Sequence, residues 1–221
     1  MLNNFDAVVF DMDGLLLDSE AIALATFIEA CRECDYEPND LEPYYQCIGT
    51  NWPKATETLI NGYGKDFPFD AISEVWGDKY HEETLTKPVP LKDGALDLLR
   101  YLEGNGIKKA VVTSSRKENS LIKLTNAGLL RFFEFVLGGN EIANGKPHPE
   151  MYLTAAEKLN VVPHKCLAIE DSDNGVLSAD GAGMTVIQVP DLKAPSDEVV
   201  ALGHIIVASL VEVEAMLKQT A

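Results

Sequence analysis

The chain has 221 residues, 46% of them hydrophobic and 24% charged, which excludes disordered and fibrous classes and suits one globular unit with an inserted lobe. Its 18 Lys and Arg stand against 35 Asp and Glu for a net charge of −17, with no basic block to track a phosphate backbone, so nucleic acid and anionic membrane surfaces are excluded as partners. A chain of this length buries roughly 70–75% of the surface its unfolded state exposes, so any metal serves chemistry rather than folding. The same acidity repels an anionic substrate at long range, and an anion site here needs a local cation.

The opening Met1–Asp6 has no basic segment or long apolar stretch, and the apolar run at 205–208 is too short for a bilayer. The expectation is a soluble, cytoplasmic monomer. Cys31, Cys34, Cys47 and Cys166 read as reduced thiols. Cys31 and Cys34 form a C-x-x-C, but Leu24, Phe27, Ile28 and Cys31 follow helical spacing with no second pair, so the motif reads as core packing.

In chain order, short β-rich runs at 7–10, 110–113, 135–137, 166–169, 185–189 and 205–207 alternate with helical patterns. That alternation predicts an α/β fold, a Rossmann-like, doubly wound parallel sheet covered by helices. Helices are expected from about Asp93 to Gly104, from Pro149-Glu150 to Leu159, and after a capping box at Ser209–Glu212. Between about Asp18 and Thr86 no strand pattern occurs, and 21–34, 54–60 and 71–80 read as helices. The expected division is a catalytic core of 1–16 and 87–221 around an inserted α-helical cap of 17–86, with Pro88 and Pro90 stiffening the return.

Asp11 and Asp13 follow the first strand directly. Residues two apart on a strand project to one side, so the two carboxylates converge beyond its carboxyl end, where open α/β sheets bind ligands. Carboxylates this close repel, which raises one pKa or recruits a cation, and Mg²⁺ is the natural occupant. One carboxylate can attack phosphorus to form an aspartyl phosphate while the other serves as acid and base. Thr113-Ser114-Ser115 ends the second core strand, Lys146 precedes a helix, and Glu170-Asp171 ends the fourth strand. Together they outline a phosphate site at one sheet edge: Thr113 and Ser114 bond phosphoryl oxygens, Lys146 supplies the cation, and Asp171 with Glu170 completes a metal site.

These motifs, in order from Phe10-Asp11-Met12-Asp13-Gly14 to Ile169-Glu170-Asp171-Ser172, with Lys146-Pro147-His148-Pro149 between them, resemble the haloacid dehalogenase superfamily. The similarity is to its phosphatases and phosphomutases with a helical cap after the first strand, and it spans the core. The resemblance implies a hydrolase of small phosphorylated substrates. Asp11 would be nucleophile, Asp13 general acid/base, Thr113 and Lys146 phosphoryl-binding, and Mg²⁺ bound by Asp11, the Asp13 carbonyl and Asp171, with Glu170 in support. The dehalogenases lack the second carboxylate, so Asp13 speaks against that branch. The mutases carry a cap arginine and a cap histidine where Trp52 and Ala23 stand here, which favours hydrolysis, with sugar or polyol phosphates as the implied class.

Within the cap, Gly49, Thr50, Asn51 and Trp52 are expected on a specificity loop, and Lys79 and His81 on the last cap helix, where they read first as a solvated face and second as groups that reach a phosphate. His148 reads as a loop residue beside Lys146, and the four histidines show no metal-ligand spacing. Two further readings stay open: a mutase using another cap cation such as Lys79, and a phosphoacceptor signalling module.

Overall fold

The computed structural model of the chain describes residues 5–50 and 52–219. Its sheet is built from strands that the sequence marks by unbroken apolar runs. β1 (Ala7–Phe10) is buried along its whole length, yet its side chains divide: Val8 and Phe10 join one hydrophobic cluster, Ala7 and Val9 another. The same alternation recurs in β2 (Lys108–Thr113) and β4 (Cys166–Glu170). Strands buried on both faces require helices on both faces, and this is the arrangement found.

With β3 (Phe135–Gly138), β5 (Thr185–Gln188) and β6 (Ile205–Ile206), the six strands run in the order β3-β2-β1-β4-β5-β6, every pair parallel. The expected doubly wound sheet is present. β1 lies between β2 and β4, at the point where strand order reverses. One face is covered by leucine-rich helices, α5 (Ala95–Gly104), α6 (Lys117–Asn126) and α10 (Leu210–Gln219). The other is covered by alanine-rich α7 (Glu150–Leu159) and α8 (Asp173–Gly181), with the short α9 (Asp197–Val200) adding Val199. The Ser209–Glu212 box forms in altered pairing: the Ser209 hydroxyl accepts from the Glu212 N–H at 3.4 Å, while the Glu212 carboxylate reaches the N–H of Ala208 rather than that of Ser209.

Between β1 and α5 the chain forms α1 (Ser19–Glu33), α2 (Glu42–Tyr45), α3 (Trp52–Tyr63) and α4 (Phe69–Leu85). These enclose their own core of Phe27, Cys31, Tyr44, Leu59, Phe67 and Ile72, and the Trp76 indole donates to the Ala23 carbonyl at 3.0 Å to fasten α4 to α1. The one-turn α2 went unread in the sequence because four residues are too few to show a helical period. Cys31 is buried in this core and all four cysteines are free, as expected from the composition. The outgoing and returning segments bond each other, the N–H of Asp18 to the Pro90 carbonyl and that of Lys92 to the Leu16 carbonyl. Among the described residues no helix is long and apolar enough to cross a membrane.

Candidate active site

β1 is prolonged one residue by the Asp11 N–H, which donates to the Ile169 carbonyl at 3.0 Å. The chain then turns tightly at Gly14, whose φ of +85° admits little else, and a Cβ there would lie 2.7 Å from Oδ2 of Asp171. The pairing of β1 with β4, in register from Ala7 to Phe10 with Cys166 to Ile169, sets Asp11 beside Glu170 and Asp171 at the end of β4, with ligand oxygens of all three within 4.8 Å of one another. All three are buried. Lys146 enters from the segment before α7, and its ammonium lies 2.5 Å from both Asp11 Oδ1 and Glu170 Oε1.

One ammonium does not balance three buried carboxylates. Burial raises the Asp11 carboxyl to about 8, Lys146 opposing and Glu170 and Asp13 adding to the rise. Burial, with the charges of Asp11 and Glu170, pushes Asp171 well above the ordinary range. Ionising all three would leave more negative charge on oxygen donors than one ammonium balances, a set that fits a divalent cation. Glu170 is the most fully engaged of the three: it accepts from Lys146, from the Tyr152 hydroxyl at 2.5 Å and from Ser172 at 3.4 Å. Gly175 leaves room for it, since a Cβ there would sit 1.9 Å from the carboxylate.

Asp13 projects to a different set of partners. Its Oδ1 accepts from the Ser19 hydroxyl at 2.7 Å and the Lys123 ammonium at 2.8 Å, and its Oδ2 from Ser115 at 2.8 Å and Thr113 at 3.3 Å. Burial works to raise this carboxyl, but the Lys123 charge and the bonds from Lys123, Ser19 and Ser115 outweigh it and hold it below the ordinary value. The Asp13 side chain is thus an anion turned away from the acidic trio, which leaves only its carbonyl for the expected metal contact. Thr113, expected to hold a phosphoryl oxygen, lines the cavity with its hydroxyl committed to Asp13 and to the Ser115 N–H.

The cavity over these groups, about 310 Å³, is lined by Asp11, Asp13, Thr113, Ser114, Lys146 and Asp171. It thus gathers every expected core residue except Glu170, which sits beneath it. Gly49 and Trp52 from the helical unit also line it, and the Gly49 carbonyl accepts from Asn174 of α8 at 3.0 Å. Asn51 lies outside the described residues. Lys79 is a correction: its ammonium lies 2.8 Å from Glu33 and 3.5 Å from Glu29, because its face of α4 meets α1, and it lines neither this cavity nor the one beside it.

Sequence reasoning assigned no role to Lys123, Tyr80, Ser19, Glu20, Ser115, Tyr152 or Arg116. Lys123 is buried, with its ammonium 2.7 Å from the Tyr80 hydroxyl as well as bonded to Asp13. The available signal was a lysine three residues after Ser120 and one before Leu124, on the buried face of α6. Arg116, exposed at the cavity mouth, was legible only as the residue after the Thr113 motif.

The chain is 30% identical over 185 residues to the "Phosphorylated carbohydrates phosphatase" of Thermotoga maritima, covering 81% of this chain and 82% of that one. It is also 30% identical over 215 residues to the "Probable pseudouridine-5′-phosphatase" of Drosophila melanogaster, covering 83% and 80%. Its fold superimposes, with a TM-score of 0.78 and 25% identity, on a Thermotoga maritima structure provisionally designated a β-phosphoglucomutase, covering 98% of this chain and 100% of that one. The family model described as haloacid dehalogenase-like hydrolase matches residues 8–189. With its four motifs gathered at one sheet edge and most of its length matched, the chain belongs to the haloacid dehalogenase-like hydrolases.

Proposed function

We propose that the protein is a Mg²⁺-dependent phosphatase of small phosphorylated metabolites, working through a phosphoryl-aspartate at Asp11, with residues 17–86 as a cap over the site. The observation that carries this reading is the division of labour between two neighbouring carboxylates: Asp11 beside Lys146 and an acidic trio, Asp13 held as an anion by a separate cation. Relatives named for phosphorylated carbohydrates and for pseudouridine 5′-phosphate support a phosphorylated sugar portion in the substrate.

In this mechanism an Asp11 oxygen attacks phosphorus as the bond to the ester oxygen breaks, and that oxygen leaves as the alcohol with a proton delivered through Asp13, which returns to its carboxylate form. Lys146 and Arg116 offset phosphoryl charge, and the Ser114 backbone and a reoriented Thr113 hydroxyl hold its oxygens. Asp13 then takes a proton from the water that hydrolyses the phosphoryl-aspartate, a role suited to a carboxylate kept anionic by Lys123. Asp11, Asp171 and the Asp13 carbonyl would hold Mg²⁺, oriented by Glu170, and the ion would neutralise charge on the transferring group.

A mutase must grip a second phosphate. Among the described residues lining this cavity and its neighbour, Lys146 and Arg116 are the cations, both from the core, and Lys79 is spent on α1. Hydrolysis therefore fits better. The test is phosphate release from sugar, polyol and nucleoside phosphates with Mg²⁺ and with EDTA. Mg²⁺-dependent release supports the reading; none from any compound by folded protein contradicts it. Conversion of β-glucose 1-phosphate to glucose 6-phosphate with a bisphosphate activator would show a mutase instead.

A further inference from the structure

Beside the cavity over Asp11 lies a second, of about 300 Å³, and Glu20, Gly49, Thr50, Trp52 and Tyr80 line both. Its walls are rings: Tyr44, Trp52, Trp76 and Tyr80. The two indoles stand with centroids 5.7 Å apart, and Tyr44 lies 6.0 Å from Trp76. The small residues Ala23, Gly49, Ala55 and Gly77 line this cavity as well. Trp52 is 55% exposed at the rim, a large apolar surface left without cover in the unliganded chain.

The polar groups of this cavity are mostly engaged within the protein. The Trp76 N–H is given to the Ala23 carbonyl, the Thr50 hydroxyl to the Cys47 carbonyl at 2.6 Å, and the Cys47 thiol to the carbonyls of Pro43 and Ala55. A hexose placed here would bury several hydroxyls with few partners, which is costly for each one left unpaired. The rings are tilted against one another, 44° between the two indoles and 55° between Tyr44 and Trp76, and aromatic walls of this kind suit a flat ligand, because stacking on them asks for area rather than for hydrogen bonds. The Glu20 carboxyl, where the two cavities meet, offers one acceptor for a single polar edge.

We infer that this second cavity receives a planar heterocyclic or aryl group carried on the substrate's alcohol, so that the enzyme prefers phosphate esters of alcohols bearing such a group over bare sugar phosphates. The inference rests on the phosphatase reading for its catalytic half. The geometry gives the division: phosphate over Asp11, the sugar or linker between Glu20, Thr50 and Tyr80, the flat group among the indoles.

Uridine 5′-monophosphate and ribose 5-phosphate make the test, because both release a primary C5′ oxygen and differ in the base. The expected kcat/KM ratio is at least about tenfold in favour of the nucleotide, as base stacking on aromatic side chains predicts. Trp52→Ala should bring that ratio down at least about threefold, and its exposure makes it the ring least needed for folding. The chain has two tryptophans, both in this cavity, so uridine alone should quench their emission saturably while ribose does not. A ratio near one with no quenching overturns the inference and leaves the phosphatase standing. Should neither ester be hydrolysed, the phosphatase reading is decided by the wider panel, and the uridine titration decides the cavity: saturable quenching upholds the planar-group site, its absence refutes it.

Discussion

Lys123 of α6 and Asp13 after β1 form a nearly buried ion pair at 2.8 Å, the lysine side chain 2% and the aspartate 14% exposed. The same ammonium bonds Tyr80 of α4, so one lysine joins the Asp13 carboxylate, the sheet's covering layer and the helical unit.

Replacing it exposes what it balances. Lys123→Met keeps the volume but leaves the Asp13 carboxylate buried without its cation, for which a loss of roughly 3–5 kcal/mol is typical. Urea unfolding should show a loss of that order, and kcat should fall with it. Unchanged stability would mean that Asp13 does not depend on the lysine.

The acidic trio sets a pH dependence. Asp11 titrates at about 8 in the fold against an ordinary 3.8, and Asp171 is raised in the same sense. Across that interval the folded chain holds protons that the unfolded chain has released, so stability falls as pH rises from about 4 to 8. Melting temperatures in EDTA should decline over this range, and Mg²⁺ should raise them most at the alkaline end. A melting temperature that climbs with pH in EDTA would contradict the assignment.

Gly175→Ala places a methyl 1.9 Å from the Glu170 carboxylate. Either α8 or Glu170 must move, and because such supporting groups orient metal ligands, Mg²⁺ affinity read from the activity titration should weaken by about tenfold or more. An unchanged titration would show that Glu170 plays no part in holding the ion.

Lys79→Ala removes a lysine tied to Glu33 and Glu29 and lining neither cavity. Its KM should stay within about twofold of wild type, as for an exposed pair. A large KM increase would restore it as a phosphate ligand.

Much of this was legible before the structure. The strands announce themselves because both faces are buried and their apolar runs are unbroken, as in Ala7–Phe10 and Cys166–Ile169. The core motifs were legible because each directly follows or precedes a predicted element. Lys123 was not, because its partners lie 43 and 110 residues away in sequence, and a lysine on an apolar helix face carries no mark of what it will meet. The misreading of Lys79 has the same root: periodicity places a residue on a helix, but which face meets which neighbour is settled by packing, here of α4 on α1.

In the proposed mechanism Asp11 carries the phosphoryl group. Acid quenching during turnover with Mg²⁺, followed by mass analysis of the peptides, tests it directly. A phosphoryl adduct on the Asp11 peptide of the wild type, absent from a folded and inactive Asp11→Asn variant, is the predicted result. Normal turnover by Asp11→Asn, or an adduct on another residue, would contradict it.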